Sequence, residues 1–357
     1  MNENILDQAQ EVRPAENIST PAFLSFINEK LAEYPGEIEI LQFPGGFSNL
    51  TYLLKKGSTE FVLRKPPRGA NIKSAHDMSR EFNVLSLLTP VFDQIPTPLF
   101  IHEEDDLIGA PFYLMERVKG LILRNKIPKG LEMTPHSFRK LSENTVSNLV
   151  TLHNLDIKAT GLLQLGKPEG YVTRQVEGWI KRYFNAETDS ISQMNETASW
   201  MKENIPKELS ATFIHNDYKY DNLVLDPASF EIKALLDWEM ATVGDPLMEL
   251  GTSLGYWAEQ SDHPALKSFG VTSLEGNFSR QEVAEHYANK SGRSIENIVF
   301  YYVFGSFKIA VIAQQIYARF KKGMTSDPRF GSLIYVTKTC AENAANAIKF
   351  NRINNFK

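Results

Sequence analysis

The 357-residue sequence contains a single cysteine, Cys340, so an intrachain disulfide framework is excluded. A structural zinc site is also disfavoured, because such sites need clustered cysteine or histidine ligands. Residues 1–13 are polar and acidic and lack the apolar core of a signal peptide. Together these features are typical of a protein from a reducing cytoplasm, which is the location that we expect.

The sequence also lacks a basic excess, glycine-rich nucleotide motifs and a long uninterrupted apolar run. Its formal net charge of −5 argues against a nucleic-acid binder. It has no G-x-x-x-x-G-K-[ST] and no G-x-G-x-x-G after a strand, which excludes the P-loop and Rossmann classes. Residues 298–316 are the most apolar, but Gly305, Ser306 and Lys308 interrupt them, so we predict a buried helix and no membrane partner. The oligomeric state is not indicated.

The composition, with 42% hydrophobic and 23% charged residues, is typical of a globular enzyme. The length suits two lobes. We predict an α+β fold with a flexible tail over residues 1–18, an N-terminal sheet lobe over 19–118 and a helical C-terminal lobe over 119–357. Strand-like runs lie at 37–43, 50–55, 60–64, 99–103 and 110–118. Helical patterns lie at 20–31, 74–88, 138–155, 172–184, 191–204, 246–258, 295–320 and 330–350, and a capping box at 279–282 opens another helix.

A polar stretch, HNDYKYDN at residues 215–222, interrupts two short apolar runs, and Asp237 ends the next apolar run. Polar side chains held between strands are typical of a catalytic loop. Phosphoryl transfer needs a carboxylate for the acceptor hydroxyl, a cation for the phosphate and oxygen ligands for Mg²⁺. Asp217 and Lys219 fit the first two roles as catalytic residues. Asn222 and Asp237 fit the third as metal ligands.

Glu81 lies within the apolar stripe of the predicted 74–88 helix, where a carboxylate is costly without a cationic partner. Arg64 ends the third strand-like run on the same strand face as Val62, because side chains alternate along a strand. We therefore predict an Arg64–Glu81 pair. An ordinary buried salt bridge would explain the pair as well as a phosphate-binding cation would.

The 215–222 stretch resembles, without gaps, the catalytic loop H-x-D-x-K-x-x-N of the protein-kinase-like superfamily. LDWE at 236–239 and GDPLMEL at 244–250 are closer to its aminoglycoside phosphotransferase and choline kinase branch. GFSNLTY at 46–52, FVLRKPP at 61–67 and RQVEGW at 174–179 resemble the phosphotransferase domains associated with acyl-CoA dehydrogenases. The resemblance covers residues 20–340. It implies a bilobal protein-kinase-like fold with a small antiparallel-sheet lobe containing one helix and a larger, mostly helical lobe.

The resemblance also implies ATP and Mg²⁺ as cofactors and assigns roles by position. Asp217 is the base, Asn222 and Asp237 hold the metal, and Arg64, paired with Glu81, stands where the family's phosphate-binding cation lies. Arginine in place of the usual lysine is compatible with activity, because it keeps the charge. The remaining nucleotide-binding positions are Val62, the phosphate loop with Gly45, Gly46, Ser48 and Asn49, and an interlobe hinge at Glu116 and Val118, while His215 and Asp245 support the catalytic loop.

We therefore predict an ATP- and Mg²⁺-dependent small-molecule kinase whose acceptor is a hydroxyl of a metabolite or antibiotic, with a hydroxyacyl compound as one candidate. A nucleotide-binding pseudokinase is the alternative, although no essential side chain is missing. A protein kinase is less favoured, because ATVGDP at 241–246 follows the 236–239 motif directly and leaves no long activation segment. Gly45 and Gly46 would also suit a plain hairpin turn. The acceptor and the choice of ATP or GTP remain open.

Overall fold

The structure, a computed structural model, describes residues 5–44, 49–67, 77–208, 210–325 and 327–356. The chain divides into two compact units. The first comprises Met1–Leu121, Val224–Pro227 and Lys233–Met240, and the second comprises Ile122–Leu223, Ala228–Ile232 and Ala241–Lys357.

The secondary structure follows the predicted order of a strand-rich and then a helical part. The first part contains α1 (Pro21–Lys30), β1 (Ile38–Gln42), β2 (Leu50–Lys56), β3 (Thr59–Lys65), α2 (Met78–Leu88), β4 (Pro98–His102) and β5 (Phe112–Glu116). The remainder contains α3 (Pro135–His153), α4 (Tyr171–Ala186), α5 (Ser192–Glu203), β6 (Thr212–Ile214), β7 (Leu223–Leu225), β8 (Ile232–Leu235), β9 (Thr242–Gly244), α6 (Pro246–Tyr256), α7 (Pro264–Lys267), α8 (Arg280–Ser291), α9 (Ile298–Lys321) and α10 (Leu333–Phe350).

The first unit is built on a five-stranded antiparallel sheet with the strand order β1-β2-β3-β5-β4. Helix α1 begins at Pro21, after Thr20 caps it by accepting a hydrogen bond from the Phe23 amide. Phe23 and Ile27 of α1 pack on one sheet face, where the Phe23 ring meets the Phe112 ring edge-on at a centroid distance of 5.6 Å. Helix α2 is inserted between β3 and β4, so the predicted sheet with one inserted helix is confirmed.

The segment predicted as a flexible tail makes specific contacts with this sheet in its described part, residues 5–18. Gln10 exchanges two backbone hydrogen bonds of 2.8 Å with Gln42 on edge strand β1. The Tyr52 hydroxyl donates to the Glu16 carbonyl at 2.8 Å, and Ile18 is 2% exposed. The structure therefore differs from the prediction here, because backbone pairing along a sheet edge leaves no mark in a polar sequence.

The predicted boundary between residues 118 and 119 also differs from the division that the structure shows. Residues after 223 that we placed in the helical lobe belong partly to the first unit. The reason is backbone pairing over long sequence distances. Leu225 forms an isolated bridge with Leu121, and the Leu235 amide donates to the Gln94 carbonyl at 2.8 Å. As a result, Asp237 lies in the first unit.

The second unit is mostly helical and is organised around α9, which packs against α4, α5, α6 and α10. Within the described ranges, α9 is the one helix long and apolar enough to cross a membrane by length and composition, and 83% of its most apolar window is buried inside the protein. That burial is what the prediction of a core helix requires. Helices α6 and α9 touch through glycines, since a Cβ atom on Gly305 would overlap the Gly251 carbonyl oxygen.

Candidate active site

The 215–222 loop lies in the second unit, between strands β6 and β7. The flanking strands do not pair with each other as a simple ribbon would. Strand β6 pairs with β9, which immediately precedes α6, and β7 pairs with β8. Each end of the loop is therefore fixed by a different strand partner.

Asp217, Lys219 and Asn222 are brought together within this loop. Lys219 Nζ lies 3.0 Å from Asp217 Oδ2. Asn222 Nδ2 donates to the same oxygen at 3.0 Å and to the Asp217 carbonyl at 2.8 Å. Both of these side-chain contacts are made to Oδ2 of Asp217, and neither of them is made to Oδ1. The Asp217 side chain is about a quarter exposed, at 24%, and can be reached from solvent.

The charges of this loop are strongly coupled. Burial by itself would lower the pKa of the Lys219 ammonium, but Asp217, Tyr256 and Asp221 outweigh burial and raise that pKa above its ordinary value. Burial raises the pKa of Asp221 to about 6, against the opposing charge of Lys219 and with the help of Asp217. Lys219 is therefore held as a cation beside Asp217, which its predicted phosphate-facing role would require.

Glu249, on α6, holds the start of the loop through hydrogen bonds to its backbone. Its carboxylate accepts hydrogen bonds from the His215 amide at 2.9 Å, from the Asn216 amide and from His153 Nε2 at 2.8 Å. Burial alone would raise the pKa of Glu249, but the hydrogen bond and charge of His153 lower it overall. His215 is fully buried, and its Nδ1 accepts from the Asp217 amide at 3.2 Å.

Tyrosine side chains anchor the rest of the loop to the helices around it. The Tyr218 hydroxyl donates to the Thr145 carbonyl of α3 at 2.7 Å, and Ser253 of α6 donates to the Tyr218 carbonyl at 2.8 Å. The Tyr220 hydroxyl donates to Asn277 Oδ1 at 2.9 Å. The alternating tyrosines of the motif therefore serve as anchors, while the charged side chains of Asp217, Lys219 and Asp221 stay partly exposed.

The first unit contains the second predicted cluster, with Arg64 on β3, Glu81 on α2 and Asp237 after β8. Arg64 Nε lies 3.2 Å from Glu81 Oε2, and its Nη2 donates to Asp237 Oδ1 at 2.8 Å. The Trp238 amide donates to Glu81 Oε1 at 3.2 Å. Burial would lower the pKa of Arg64, but Glu81, Tyr113 and Asp237 raise it well above its ordinary value. The predicted Arg64–Glu81 pair is present, and Arg64 also reaches Asp237.

The other predicted nucleotide-binding positions are spread over the first unit. Val62 is buried on β3, and Asn49 Nδ2 donates to Glu239 Oε2 at 3.0 Å. Glu116 ends β5 with an exposed side chain, and its amide donates to the Thr97 carbonyl at 2.9 Å. Val118 follows, half-buried. Gly45, Gly46 and Ser48 lie outside the described residues.

Two predicted site segments share a backbone conformation that is rare for residues other than glycine. Asn216 has a φ of 69° and Asp237 a φ of 70°. Asparagine and aspartate tolerate this left-handed region better than other side chains.

Asp245, predicted to support the loop, caps α6 by accepting a hydrogen bond from the Leu247 amide at 2.8 Å. It also accepts one from the Tyr301 hydroxyl of α9 at 3.2 Å.

The predicted metal ligands fit a hard divalent cation in their chemistry. Asn222 makes its two contacts through Nδ2, so its amide oxygen, the atom that would bind a metal, is not used in either. Asp237 presents a carboxylate that is about a third exposed, at 31%. Amide and carboxylate oxygens are the ligands that Mg²⁺ takes from proteins. The described residues contain no cluster of three or more His, Cys, Asp or Glu side chains that could hold a metal alone.

Sequence reasoning missed two residues that contact the loop, Glu249 and Lys308, and a third, His153, that contacts Glu249. Lys308 Nζ, on α9, donates to the Asn216 carbonyl at 3.0 Å. Glu249 and Lys308 each interrupt an otherwise apolar helical run in the sequence. That signal is the same one that pointed to Glu81, and it would have marked both as buried charges in need of a partner.

Comparisons with known proteins agree with this fold. The profile of the phosphotransferase enzyme family matches residues 39–286. A Ralstonia eutropha crystal structure, provisionally assigned as an aminoglycoside phosphotransferase, has a TM-score of 0.79 and 27% identity, and the alignment covers 94% of this chain and 99% of that chain. A spectinomycin phosphotransferase solved with ADP and spectinomycin has a TM-score of 0.56 and 13% identity over 91% of this chain and 98% of its own. At that identity the likeness shows the fold alone.

The sheet unit and the helical unit define a protein-kinase-like phosphotransferase fold, as its structural neighbours show. The chain belongs to the phosphotransferase enzyme family, and the resemblance that its motifs indicated is confirmed. Acyl-CoA dehydrogenase family member 10 of Mus musculus is 36% identical over 311 residues, covering 86% of this chain and 29% of that protein. The chain spans less than half the length of the curated relatives with which it was compared, 29% to 43%.

Proposed function

We propose that this protein is an ATP- and Mg²⁺-dependent kinase that transfers the γ-phosphate to the hydroxyl of a small molecule. The observation that carries the proposal is the arrangement around Asp217. Two donors, Lys219 Nζ and Asn222 Nδ2, fix Oδ2 at 3.0 Å each. That leaves Oδ1 to orient the acceptor hydroxyl and to take its proton as the hydroxyl oxygen bonds to phosphorus.

The charges on either side of this step are supplied by named side chains. Lys219, held as a cation, would meet the transferring phosphoryl group, and Arg64 would bind phosphate oxygens of the nucleotide. Asn222 and Asp237 would hold Mg²⁺, which when bound neutralises charge on the phosphates. The nucleotide is supported by relatives of the same fold, one of which was solved with ADP.

The acceptor is an alcohol, and a hydroxyacyl compound is the first candidate. The support is the name of the curated relatives, acyl-CoA dehydrogenase family members, which contain a segment similar to this chain. We therefore propose hydroxy acids and their CoA thioesters as the leading substrates. Because a structural neighbour is described as an aminoglycoside phosphotransferase, aminoglycosides should be tested beside these leading substrates.

The proposal is tested by ADP release from purified protein with ATP, Mg²⁺ and one acceptor at a time, chosen from hydroxy acids, their CoA thioesters, choline, sugars and aminoglycosides. With the acceptor that turns over, Asp217→Asn should lower kcat by a factor of about 10²–10⁴, the usual contribution of a general base. Glu196→Gln, an exposed carboxylate on α5, is the matched control and should behave as wild type. Wild-type turnover in the Asp217→Asn protein would show that the assignment is wrong.

A further inference from the structure

Lys308 is a buried cation in the middle of α9, a long and largely apolar helix. It is 4% exposed, and among the residues that the structure describes no carboxylate lies within ion-pair distance of its Nζ. Its contacts are the hydrogen bond of 3.0 Å to the Asn216 carbonyl and the ring of Trp179 on α4, whose centroid lies 5.7 Å away. A buried charge is costly without compensation, so these contacts call for an explanation.

The carbonyl that Lys308 binds belongs to the peptide group that leads into Asp217. The amide of the same peptide group, the Asp217 N–H, donates to His215 Nδ1 at 3.2 Å. Because a peptide group is planar, hydrogen bonds to its oxygen and from its N–H restrict the rotation of the whole plane. The position of the Asp217 Cα atom, from which the side chain leaves the backbone, is therefore restricted from both edges of the plane.

Asn216 itself is held by two further helices. Its amide donates to Glu249 of α6, and its side chain lies 3.3 Å from the Tyr171 hydroxyl of α4. The residue is in the left-handed region, with a φ of 69°, a conformation that asparagine tolerates and that these contacts help to hold. Lys308 adds the contact from α9, and it is the member of this set that binds the carbonyl.

We propose that Lys308 is a positioning residue that holds the peptide plane between Asn216 and Asp217 and thereby aims the Asp217 carboxylate. The proposal rests on the proposed kinase function for its catalytic consequence. It does not rest on that function for its structural content, since the orientation of the loop can be measured without turnover.

The lowered pKa of Lys308 distinguishes a positioning role from a role in stabilising the fold. Burial lowers the pKa of Lys308 to about 8, although Asp217 and Glu249 raise it, while Lys219 and Arg182 lower it further. A lysine whose folded pKa lies below its ordinary 10.5 makes the protein less stable while it is charged, and stability rises as the pH passes from about 8 towards 10.5. The charged side chain therefore costs stability at neutral pH.

Lys308→Met, which keeps the volume but removes the charge and the donor, is the central test. We expect hydrogen exchange of the loop amides at 216–218 to accelerate by about tenfold, the loss of roughly one hydrogen bond. The melting temperature should be unchanged or higher. With a working acceptor, kcat should fall by at least about tenfold while the KM for ATP stays within about threefold. Lys321→Met, on the exposed end of the same helix, is the control and should change none of these.

A Lys308→Met protein with wild-type loop exchange and wild-type kcat would overturn the proposal, and so would a lower melting temperature with kcat retained. If Lys308→Met does not fold, Lys308→Leu, which likewise has no donor for the Asn216 carbonyl, is measured in its place. Its loop exchange should accelerate in the same way, and wild-type loop exchange with wild-type kcat would overturn the proposal. Accelerated loop exchange in a protein without turnover on any acceptor would instead count against the kinase function alone.

Discussion

Glu249 is fully buried and has no place in the proposed reaction, yet its two oxygens accept hydrogen bonds from His153 and from the backbone of the 215–222 loop. Glutamine at this position would turn an NH₂ group towards N–H donors. We therefore expect Glu249→Gln to lose about 3 kcal/mol of unfolding free energy at pH 7, as when one partner of a buried charged network is removed. Urea unfolding of the variant and the wild type measures the difference.

The lowered pKa of Glu249 also predicts how the stability difference between the variant and the wild type changes with pH. The folded pKa of Glu249 is lowered, so its stabilising contribution is present above the ordinary value of 4.5 and is lost as the pH falls through the folded pKa. The difference between wild type and Glu249→Gln should therefore shrink as the pH falls below 4.5. Glu196→Gln should show no such convergence. A difference that is constant with pH would mean that the Glu249 charge does not contribute.

Residues of the candidate site could be predicted where the chemistry lies in one continuous stretch or in a two-residue strand period. Asp217, Lys219 and Asn222 are neighbours in sequence and meet in the structure. The Arg64–Glu81 pair followed from alternation on β3 and a carboxylate on an apolar helix face. The contact of Lys308 with the loop and that of His153 with Glu249 could not be predicted. Both residues lie on helices that are distant from the loop in the sequence, and no local pattern specifies how those helices pack.

At the scale of elements, the contact between α6 and α9 links the supports of the loop, since α6 carries Glu249 and α9 carries Lys308. A Cβ atom on Gly305 would overlap the backbone of Gly251, and backbone cannot move aside as a flexible side chain can. We expect Gly305→Ala to lose about 3 kcal/mol of unfolding free energy through overpacking and to lower turnover at permissive temperature. Thermal and urea unfolding check the first effect.

Gly270→Ala is the matched control for this substitution. An added Cβ atom at Gly270 meets nothing within 4 Å, so this change should be neutral or slightly stabilising. If Gly305→Ala were as stable as Gly270→Ala, the close approach of the two helices would not be required by the fold.

Elements were predictable where caps and periodicity are local. The Ser279 and Glu282 capping box opens α8 as expected, and Thr20 with Pro21 opens α1. The pairing of β6 with β9 was not predictable, because strands of three residues are too short to show a period that would mark them in the sequence. The same holds for Gln10, whose pairing with Gln42 depends on an exposed sheet edge.

At the scale of the whole molecule, the residues of the proposed site are spread along the sequence from Arg64 to Asp237, so ligand binding is measured on the full chain. A ligand that binds only the folded protein adds RT ln(1 + [L]/Kd) to its stability, about 2.7 kcal/mol at one hundred times Kd. We expect ATP with Mg²⁺ to raise the melting temperature by a few degrees. ATP with a chelator should raise it less, because Asn222 and Asp237 would then lack their metal.

Asp237→Asn isolates the metal-dependent part of that shift. Asparagine can still accept the hydrogen bond of 2.8 Å from Arg64, and it tolerates the φ of 70° at this position, so the fold should persist. The neutral amide is a weaker ligand for a hard cation. Thermal shifts of this variant with ATP should therefore be the same with and without Mg²⁺, whereas Glu196→Gln should keep the wild-type difference. If Asp237→Asn kept the full Mg²⁺-dependent shift of the wild type, the Asp237 carboxylate would not be a metal ligand, because the substitution takes that negative charge away from the cation.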